Sequence, residues 1–286
     1  MNKILVLGAS GMAGHTITLY FMEKGYDVTA YSMNPFPFCR NINGDAFNRD
    51  EFTQILVQNE YDIVINCIGI LNQWADENLA MAVYLNSYLP HLIADTLLKS
   101  SKARLIHMST DCVFAGNTGP YFENSLRDGR SFYDRSKALG EIDDDVNLTF
   151  RNSIIGPDMN ENGIGLFNWF MKQNNEIKGF TGALWTGVTT LTLAKAMESA
   201  IQENLSGLYN LVNNYSISKY ELLSLFNKHF RNNCITIHKS DKLQLDKSLR
   251  NSRTDFSFVV PSYEHMIIEM KEWIEAHPQL YPHYNL

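Results

Sequence analysis

The sequence predicts an α/β protein, a doubly wound parallel sheet with a smaller, mostly C-terminal lobe. Three observations support this class: an apolar run followed by a glycine turn near the N-terminus, strands that alternate with helices, and a change of pattern near residue 156. We therefore expect a sheet domain over residues 1–156. A mainly substrate-binding lobe is expected over residues 157–286, with strand and helix returns to the first domain.

The first half of the chain supplies the parallel strands. The run "ILVL" is apolar throughout, as expected for a strand covered on both faces, and "DVTAYS", "DIVINCIG", "RLIHMSTDCVF" and "LTFRNSIIG" are read in the same way. Helical segments lie between them, such as "DEFTQILVQNE" and the stretch "ENLAMAVYLNSYLPHLIADTLLKS", which Pro90 breaks or kinks. This alternation indicates βαβ units.

The second half has a less regular pattern. Predicted helices are "GLFNWFMKQ", "LTLAKAMESAIQE", "SKYELLSLFNKHF" and "SYEHMIIEMKEWIEAH", and predicted short strands are "GLYNLV" and "CITIH". A serine at the start of the third helix is a favourable N-cap. These elements are expected to build most of the smaller lobe.

Composition narrows the function classes. The formal net charge is -7, which argues against a nucleic-acid-binding surface. No apolar stretch approaches the ~20 residues of a membrane span, and the apolar run at residues 4–7 is too short for a secretion signal. The four cysteines form no CxxC pair, so we expect reduced thiols, no metal site and a cytoplasmic location.

The glycine turn is the first candidate binding site. Gly8, Gly11 and Gly14 follow a strand and open a helix in "GASGMAG", where Ser10 and Met12 lie between them. Glycines let the backbone approach a pyrophosphate closely, and the helix N-terminus offers free N–H groups. The turn therefore predicts a dinucleotide site. The alternative is a tight turn that only packs the helix against the strand.

The end of the second strand favours NADP(H) over NAD. An acid there would hold the ribose 2′-hydroxyl of NAD and repel the 2′-phosphate of NADP, but "VTAYSMN" contains none. Ser32 and Arg40 are candidates to bind that phosphate, although Arg40 is equally explained as a surface arginine. Asp45 can meet the adenine amine or cap the helix that begins near residue 48.

The pair Tyr133 and Lys137 is the candidate catalytic centre. Residues four apart on a helix share a face, and an ammonium beside a phenol is expected to lower the phenol's pKa towards working pH. A hydroxyl from Ser109 or Thr110 can orient a substrate oxygen. This set suits a carbonyl/alcohol couple, in which a nicotinamide exchanges hydride and the tyrosine exchanges the proton.

These motifs together resemble the extended short-chain dehydrogenase/reductase superfamily, and within it the dTDP-4-dehydrorhamnose reductases. "STDCVFAG" is similar to that family's STDYVFxG, "YDRSKALGE" to YGxSKxxGE, and "FRNSIIGP" to LRTSxxYG. The resemblance implies a Rossmann-type fold and an NADP(H)-dependent oxidoreductase that acts on a nucleotide sugar. A homodimer is an open expectation.

The resemblance also implies roles for individual residues. Thr110, Tyr133 and Lys137 are expected to be catalytic, with Asp111 orienting them, and Lys137 is also expected to contact the nicotinamide ribose. Further residues expected to line the cofactor are Gly8, Gly11, Gly14, Cys67, Gly69 and Asn86. Asn86 is otherwise a helix-surface residue, and Cys67 is otherwise a small buried side chain.

The departures from the family pattern leave the sugar open. Cys112 stands where the family has a tyrosine, and Asp134 stands where it has a glycine. Trp185 is expected either to stack on a sugar or base or to be a core residue. Arg250 is expected either to pair with a diphosphate or to be an exposed charge.

Three functions remain from the sequence. The first is NADPH-dependent reduction of a 4-keto-6-deoxy nucleotide sugar for deoxysugar or surface polysaccharide precursors, such as dTDP-rhamnose. The second is a nucleotide-sugar epimerase or dehydratase on the same scaffold, although only one acid, Asp111, follows the catalytic hydroxyl. The third is a non-catalytic NADP-binding regulatory subunit.

Overall fold

A computed structural model describes residues 2–284 of the chain. The elements in chain order are β1 (Lys3–Leu7), α1 (Met12–Glu23), β2 (Asp27–Ser32), β3 (Arg40–Asn43), α2 (Arg49–Gln58), β4 (Ile63–Asn66), α3 (Asn72–Glu77), α4 (Leu79–Ala82), a π-helical turn (Val83–Tyr88), α5 (Leu89–Ser100), β5 (Arg104–Ser109), a 3₁₀ turn (Asp111–Val113), α6 (Phe132–Leu139), β6 (Leu148–Arg151), β7 (Ser153–Ile155), α7 (Leu166–Met171), β8 (Glu176–Trp185), β9 (Gly187–Thr189), α8 (Thr190–Gln202), β10 (Gly207–Asn210), β11 (Ile217–Ser218), α9 (Lys219–Phe230), β12 (Thr236–Asp246) and α10 (Tyr263–Ala276).

Seven strands form the central sheet in the order β10-β6-β5-β4-β1-β2-β3. Every neighbouring pair is parallel. The strand order reverses between β1 and β4, and ligands of open α/β sheets bind in the crevice at such a reversal. The predicted fold class, a doubly wound parallel sheet with a smaller lobe, is confirmed.

The strand β1 shows why both sheet faces are covered. Its alternate side chains enter two separate hydrophobic clusters: Ile4 and Val6 lie in one, and Leu5 and Leu7 lie in the other. Helices α1, α8 and α10 contribute to the first cluster, and α2, α5 and α6 contribute to the second. Successive side chains of the strand point to opposite faces of the sheet, and both faces are apolar. The sequence of the strand is therefore apolar at every position from 4 to 7.

The second half of the chain both returns to the sheet and builds the lobe. Strand β10 pairs with β6, and α8 packs on α1. Strands β11, β8 and β12 form a separate three-stranded sheet, against which α9 packs. The predicted strand "CITIH" is longer than expected and becomes β12. Strands β8, β9 and β11 were not predicted from the sequence, and β6 and β7, which were predicted as one strand, separate at Asn152.

The region of Pro90 is irregular, as predicted. A π-helical turn over Val83–Tyr88 precedes α5, and Pro90 lies in the first turn of that helix. Proline has no N–H to donate, so it is tolerated best at such a position. The wide turn thus separates α4 from α5.

Some features are absent from residues 2–284. No helix there has both the length and the apolar character that crossing a bilayer requires. No group of three or more His, Cys, Asp or Glu side chains is arranged to hold a metal ion. The four cysteines are all free thiols.

A buried ion pair fixes the end of α6 to the sheet. The Arg151 guanidinium donates to the Glu141 carboxylate through Nε at 2.8 Å and Nη2 at 2.7 Å, and both side chains are fully buried. Ser109 Oγ donates to the same carboxylate at 2.6 Å, and Arg127 also pairs with it. Burial raises the pKa of Glu141, but the hydrogen bonds and charge of Arg151, the hydrogen bond of Ser109 and the charge of Arg127 together outweigh burial, so the net shift is downward.

We expect Arg151→Met to lower the free energy of unfolding by about 3 kcal/mol, because it leaves a buried carboxylate without its main partner. The double variant Arg151→Met/Glu141→Met should recover most of that loss. The control Lys271→Met, in an exposed pair with Glu275, should change stability by less than about 0.5 kcal/mol. Urea unfolding measures all three.

The same pair predicts a pH dependence. Because the folded pKa of Glu141 lies below its ordinary value of 4.5, its contribution is fully present above that pH and is lost as pH falls towards the folded pKa. Wild-type stability should therefore fall more steeply below pH ~4.5 than that of the double variant. Parallel curves for the two proteins would contradict the assignment.

Candidate active site

A cavity of about 690 Å³ lies at the carboxyl edge of the sheet, beside the reversal of strand order. The glycine turn, the end of β4, the end of β5 and the start of α6 all contribute to it. A further loop and the small lobe complete it. Its lining includes Ser10, Gly11, Met12, Cys67, Gly69, Ser109, Thr110, Asp111, Cys112, Tyr133, Lys137, Asn152, Trp185 and Lys219.

The glycine turn is shaped by close approach. Gly8 has φ +78°, a backbone conformation that is strained for residues with a side chain. A Cβ there would lie 3.1 Å from the Cys67 backbone. At Gly14 a Cβ would lie 2.1 Å from the Gly8 carbonyl oxygen. Gly11 is the N-cap of α1 and is exposed to the cavity. The turn therefore brings an exposed backbone and a helix N-terminus to the cavity.

The three residues expected at the adenosine end lie outside the cavity lining. Ser32 Oγ donates to Asn34 O at 2.6 Å and to Asn41 Oδ1 at 3.1 Å. Arg40 is the first residue of β3, in register with Thr29, and donates to Thr29 Oγ1 at 2.8 Å. Its backbone is therefore set back from the carboxyl edge of the sheet. Asp45 accepts a hydrogen bond from Phe47 N at 3.0 Å, a local turn before α2.

Asn86 positions the loop after β4 rather than lying on a helix surface. Its side chain is fully buried. It accepts from Ile70 N at 3.0 Å and donates to Ile70 O at 2.9 Å and Ser136 Oγ at 3.1 Å. Gly69 lies against it, and both Cys67 and Gly69 line the cavity. Burial raises the pKa of the Cys67 thiol to about 12, which leaves it neutral.

The two candidate hydroxyls have different partners. Ser109 Oγ donates a hydrogen bond to the Glu141 carboxylate. Thr110 Oγ1 accepts from Cys112 N at 3.1 Å and donates to Asp111 Oδ1 at 3.2 Å. Burial raises the pKa of Asp111 above its ordinary value. Each hydroxyl hydrogen therefore already has a carboxylate acceptor, and Thr110 can donate to a substrate oxygen only by releasing Asp111.

Tyr133 and Lys137 lie in α6 and both line the cavity, each nearly buried. Lys137 Nζ donates to Met108 O at 2.7 Å, and burial lowers its pKa to about 8. Burial, with the neighbouring Cys112, raises the pKa of Tyr133. The expectation that Lys137 lowers the tyrosine pKa is therefore not met in this structure, because desolvation dominates.

One of the two sequence departures has a local explanation. Asp134 closes a capping box: its Oδ2 accepts from Ser131 N at 3.2 Å, while Ser131 Oγ accepts from Asp134 N at 3.0 Å. It thus fixes the start of the helix that carries Tyr133. Cys112 lines the cavity as a small neutral side chain, and burial raises its pKa to about 12.

The small lobe contributes one cavity residue that was not predicted from the sequence, Lys219, and it holds the predicted residues Trp185 and Arg250. Lys219, the first residue of α9, lines the cavity with its Nζ 5.3 Å from the centre of the Trp185 ring. Trp185 is 3% exposed and also packs against Tyr263. Arg250 is outside the cavity lining and half-buried, and its Nη1 has no hydrogen-bond partner among the described residues. A serine-capped helix was the only sequence signal near Lys219.

C-terminal residues hold two parts of the cavity wall. His15, just after the glycine turn, contacts Gly11 O through Nδ1 at 3.0 Å and Tyr281 Oη through Nε2 at 2.8 Å. Tyr284 Oη accepts from Asp158 N at 3.0 Å and donates to Asn168 Oδ1 at 2.9 Å. The glycine turn and the loop around residues 158–166 are therefore both tied to the segment after α10.

Known proteins are similar in sequence to part of this chain. The chain is 31% identical over 159 residues to the spore coat polysaccharide biosynthesis protein SpsK of Bacillus subtilis, covering 54% of this chain and 52% of SpsK. It is 31% identical over 139 residues to a probable dTDP-4,6-dihydroxy-2-methyloxan-3-one 4-ketoreductase of Streptomyces antibioticus, covering 48% and 44%. The chain thus spans about half the length of these curated relatives.

The fold is shared over almost the whole chain. A dTDP-4-dehydrorhamnose reductase of Bacillus anthracis, solved in complex with NADP, superposes with a TM-score of 0.80 at 18% identity, covering 96% of this chain and 99% of that one. Residues 1–248 also match the family model described as the RmlD substrate binding domain. Because that match extends over most of the sequence, the chain belongs to the RmlD substrate-binding domain family.

Proposed function

We propose that this protein is an NADPH-dependent reductase of a 4-keto-6-deoxy nucleotide sugar that serves deoxysugar or surface polysaccharide synthesis. The observation that carries the proposal is that Thr110, Tyr133 and Lys137 line the same cavity as the glycine turn. The relatives named for polysaccharide biosynthesis and 4-ketoreduction support this substrate class. The relative solved with NADP supports the cofactor.

The glycine turn fits a dinucleotide. Gly14 leaves no room for a Cβ, and Gly8 has a positive φ with a Cβ position only 3.1 Å from the Cys67 backbone, so the turn is tight. Gly11 opens the N-terminus of α1 to the cavity. Backbone N–H groups at that end suit a pyrophosphate. Gly69 and Cys67 border the cavity beyond it. A bound nicotinamide cofactor supplies the hydride for reduction.

Tyr133 is the proposed proton donor. Reduction of a carbonyl places negative charge on its oxygen, which must receive a proton. The raised pKa keeps the Tyr133 phenol protonated through neutral pH, so the proton is present when the oxygen needs it. Thr110 Oγ1 would release Asp111 Oδ1 and donate instead to the same oxygen, which orients it.

Lys137 is proposed to supply positive charge near that oxygen. With a pKa of about 8, its ammonium is mostly charged at neutral pH. It is held by Met108 O at 2.7 Å, so its position is set by the backbone of β5. A fixed charge beside a developing alkoxide stabilises it without reorganisation.

We place this reaction in the cytoplasm, because the four free thiols suit a reducing compartment. We also propose a homodimer. Helices α3, α4 and α6 contact one another and carry exposed apolar side chains, including Trp74 at 64% and Leu139 at 69% exposure. Apolar residues gathered on one side favour a protein partner.

Tyr133→Phe should lower kcat by about 10²- to 10⁴-fold, because the proton donor is lost. NADPH affinity should stay within about twofold, since the ring is retained. Following NADPH absorbance with a panel of 4-keto nucleotide sugars measures the rate. Tyr220→Phe, half-buried outside the cavity lining, is the matched control and should be unchanged.

Equal rates for wild type and Tyr133→Phe would remove the proposed donor. A wild-type chain that binds NADPH, reduces no keto sugar and stabilises a partner enzyme would instead support a regulatory subunit. Copurified oxidised NAD would favour an epimerase or dehydratase.

NADPH should bind more tightly than NADH, because no acid stands at the end of β2 to repel a 2′-phosphate. Met33→Asp places a carboxylate at an exposed position there and should weaken NADPH binding by about tenfold while NADH binding does not weaken. Met33→Asn is the neutral control. Fluorescence titration measures both cofactors, and a wild-type preference for NADH would refute this interpretation.

Sedimentation equilibrium should show a dimer that Leu139→Glu dissociates, since a charge on this apolar face is costly to bury. The control is Leu126→Glu, at a side chain that is 83% exposed in a loop. It should leave the dimer intact. A monomeric wild-type protein at micromolar concentration would contradict the proposal.

A further inference from the structure

Lys219 is a cation held in the cavity without an anionic partner. It lines the cavity, and within residues 2–284 its Nζ takes part in no hydrogen bond or ion pair, only in the contact above the Trp185 ring. Asp111 is the carboxylate near enough to act on its charge, but the two do not form an ion pair. Removing an ammonium group from water costs free energy unless an anion pairs with it.

Asn152 is a second unsatisfied group in the same wall. It lies between β6 and β7, is 2% exposed and lines the cavity. Neither its Nδ2 nor its Oδ1 has a hydrogen-bond partner among the described residues. Buried amides are normally paired, so an orphaned one beside a cavity indicates a missing ligand.

The two residues belong to one part of the cavity. At Gly187, a Cβ would lie 2.3 Å from Ser153 O and 2.4 Å from the Trp185 ring, so the residue after Asn152 and the ring beneath Lys219 flank the same glycine. Lys219 also lies within electrostatic reach of Asp111 and Cys112, which directly follow Thr110. This region is therefore next to the proposed reacting carbonyl.

We propose that Lys219 and Asn152 form the recognition subsite for the nucleotide sugar, in which Lys219 binds an anionic oxygen and Asn152 binds a sugar hydroxyl. A hydroxyl both donates and accepts, which matches the two free atoms of the amide. The inference rests on the proposed function, because it names the groups that hold that substrate.

The anion belongs to the substrate rather than to the cofactor. The cofactor's pyrophosphate has its own place at the N-terminus of α1, whereas Lys219 begins α9 in the small lobe. On a nucleotide sugar the anion is either the diphosphate or a carboxylate carried by the sugar. Both offer the same charged oxygen to an ammonium.

Calorimetric titration of the NADP⁺-loaded protein tests Lys219. The ligands are UDP, dTDP, GDP and CDP, their nucleosides, and UDP-glucuronate. Lys219→Met should weaken binding of the preferred nucleoside diphosphate at least tenfold and leave its nucleoside within about twofold. If the loss is confined to the glucuronate, the anion is the sugar's carboxylate. The control is Lys239→Met, whose exposed ammonium lies over the Tyr220 ring at 5.2 Å, and it should change nothing.

A loss below twofold for every anionic ligand, or a wild type that binds none of them, overturns the subsite. A different result would contradict the proposed reductase activity. If the wild type binds the diphosphates through Lys219 but reduces no keto sugar, the subsite stands and the reaction assignment does not.

The variant Asn152→Leu distinguishes a role of Asn152 in substrate binding from a role in stability. Leucine has similar volume and removes both unpaired atoms, so the midpoint temperature without nucleotide should stay equal or rise. KM for the keto sugar should increase at least tenfold. A lower midpoint with unchanged KM would show that Asn152 is only structural, and would overturn its part in the subsite.

Discussion

The buried carboxylate of Glu141 is the constraint on which the site's geometry depends. It receives the guanidinium of Arg151 from β6 and the hydroxyl of Ser109 from β5, and it stands directly after α6. One charged group therefore joins two strands of the sheet to the helix that carries Tyr133 and Lys137. Because both ions are fully buried, removing either partner is costly, and the helix has little freedom to shift.

Burial sets the protonation of the groups along the cavity. Lys137 and Lys219 both have pKa values lowered to about 8 by desolvation, while Asp111 and Tyr133 have theirs raised. Each shift weakens the charged form of its group. An anionic ligand that enters the cavity would oppose this effect for the two lysines, because it stabilises their ammonium forms.

The sequence was most informative where one local pattern has one structural outcome. The apolar run of β1, the glycine turn and the spacing of Tyr133 and Lys137 were sufficient to predict the sheet and the shared helix face. Strand β8 was missed, since its "EIKGFTGALW" includes two glycines and lacks a clean alternation. Lys219 and Asn152 were missed because only tertiary packing leaves their polar atoms unpaired.

Predictions from the sequence were also wrong for side chains whose surroundings are formed by residues distant in sequence. Asn86 was open to interpretation as a helix-surface residue, yet it is buried in the π-helical turn, from which its side chain hydrogen-bonds the Ile70 backbone. The phenol's pKa was expected to fall because a lysine is nearby in sequence. Desolvation by the folded chain has the larger effect, and no local spacing reports it.

The hydrogen bonds of Tyr281 and Tyr284 have a consequence for biogenesis. They secure the glycine turn and the loop after β7 from residues that the ribosome adds only after α10. The sheet can assemble early during synthesis, but its ligand-binding edge is completed only after these tyrosines emerge. A nascent chain should therefore acquire nucleotide affinity only after translation has passed both positions.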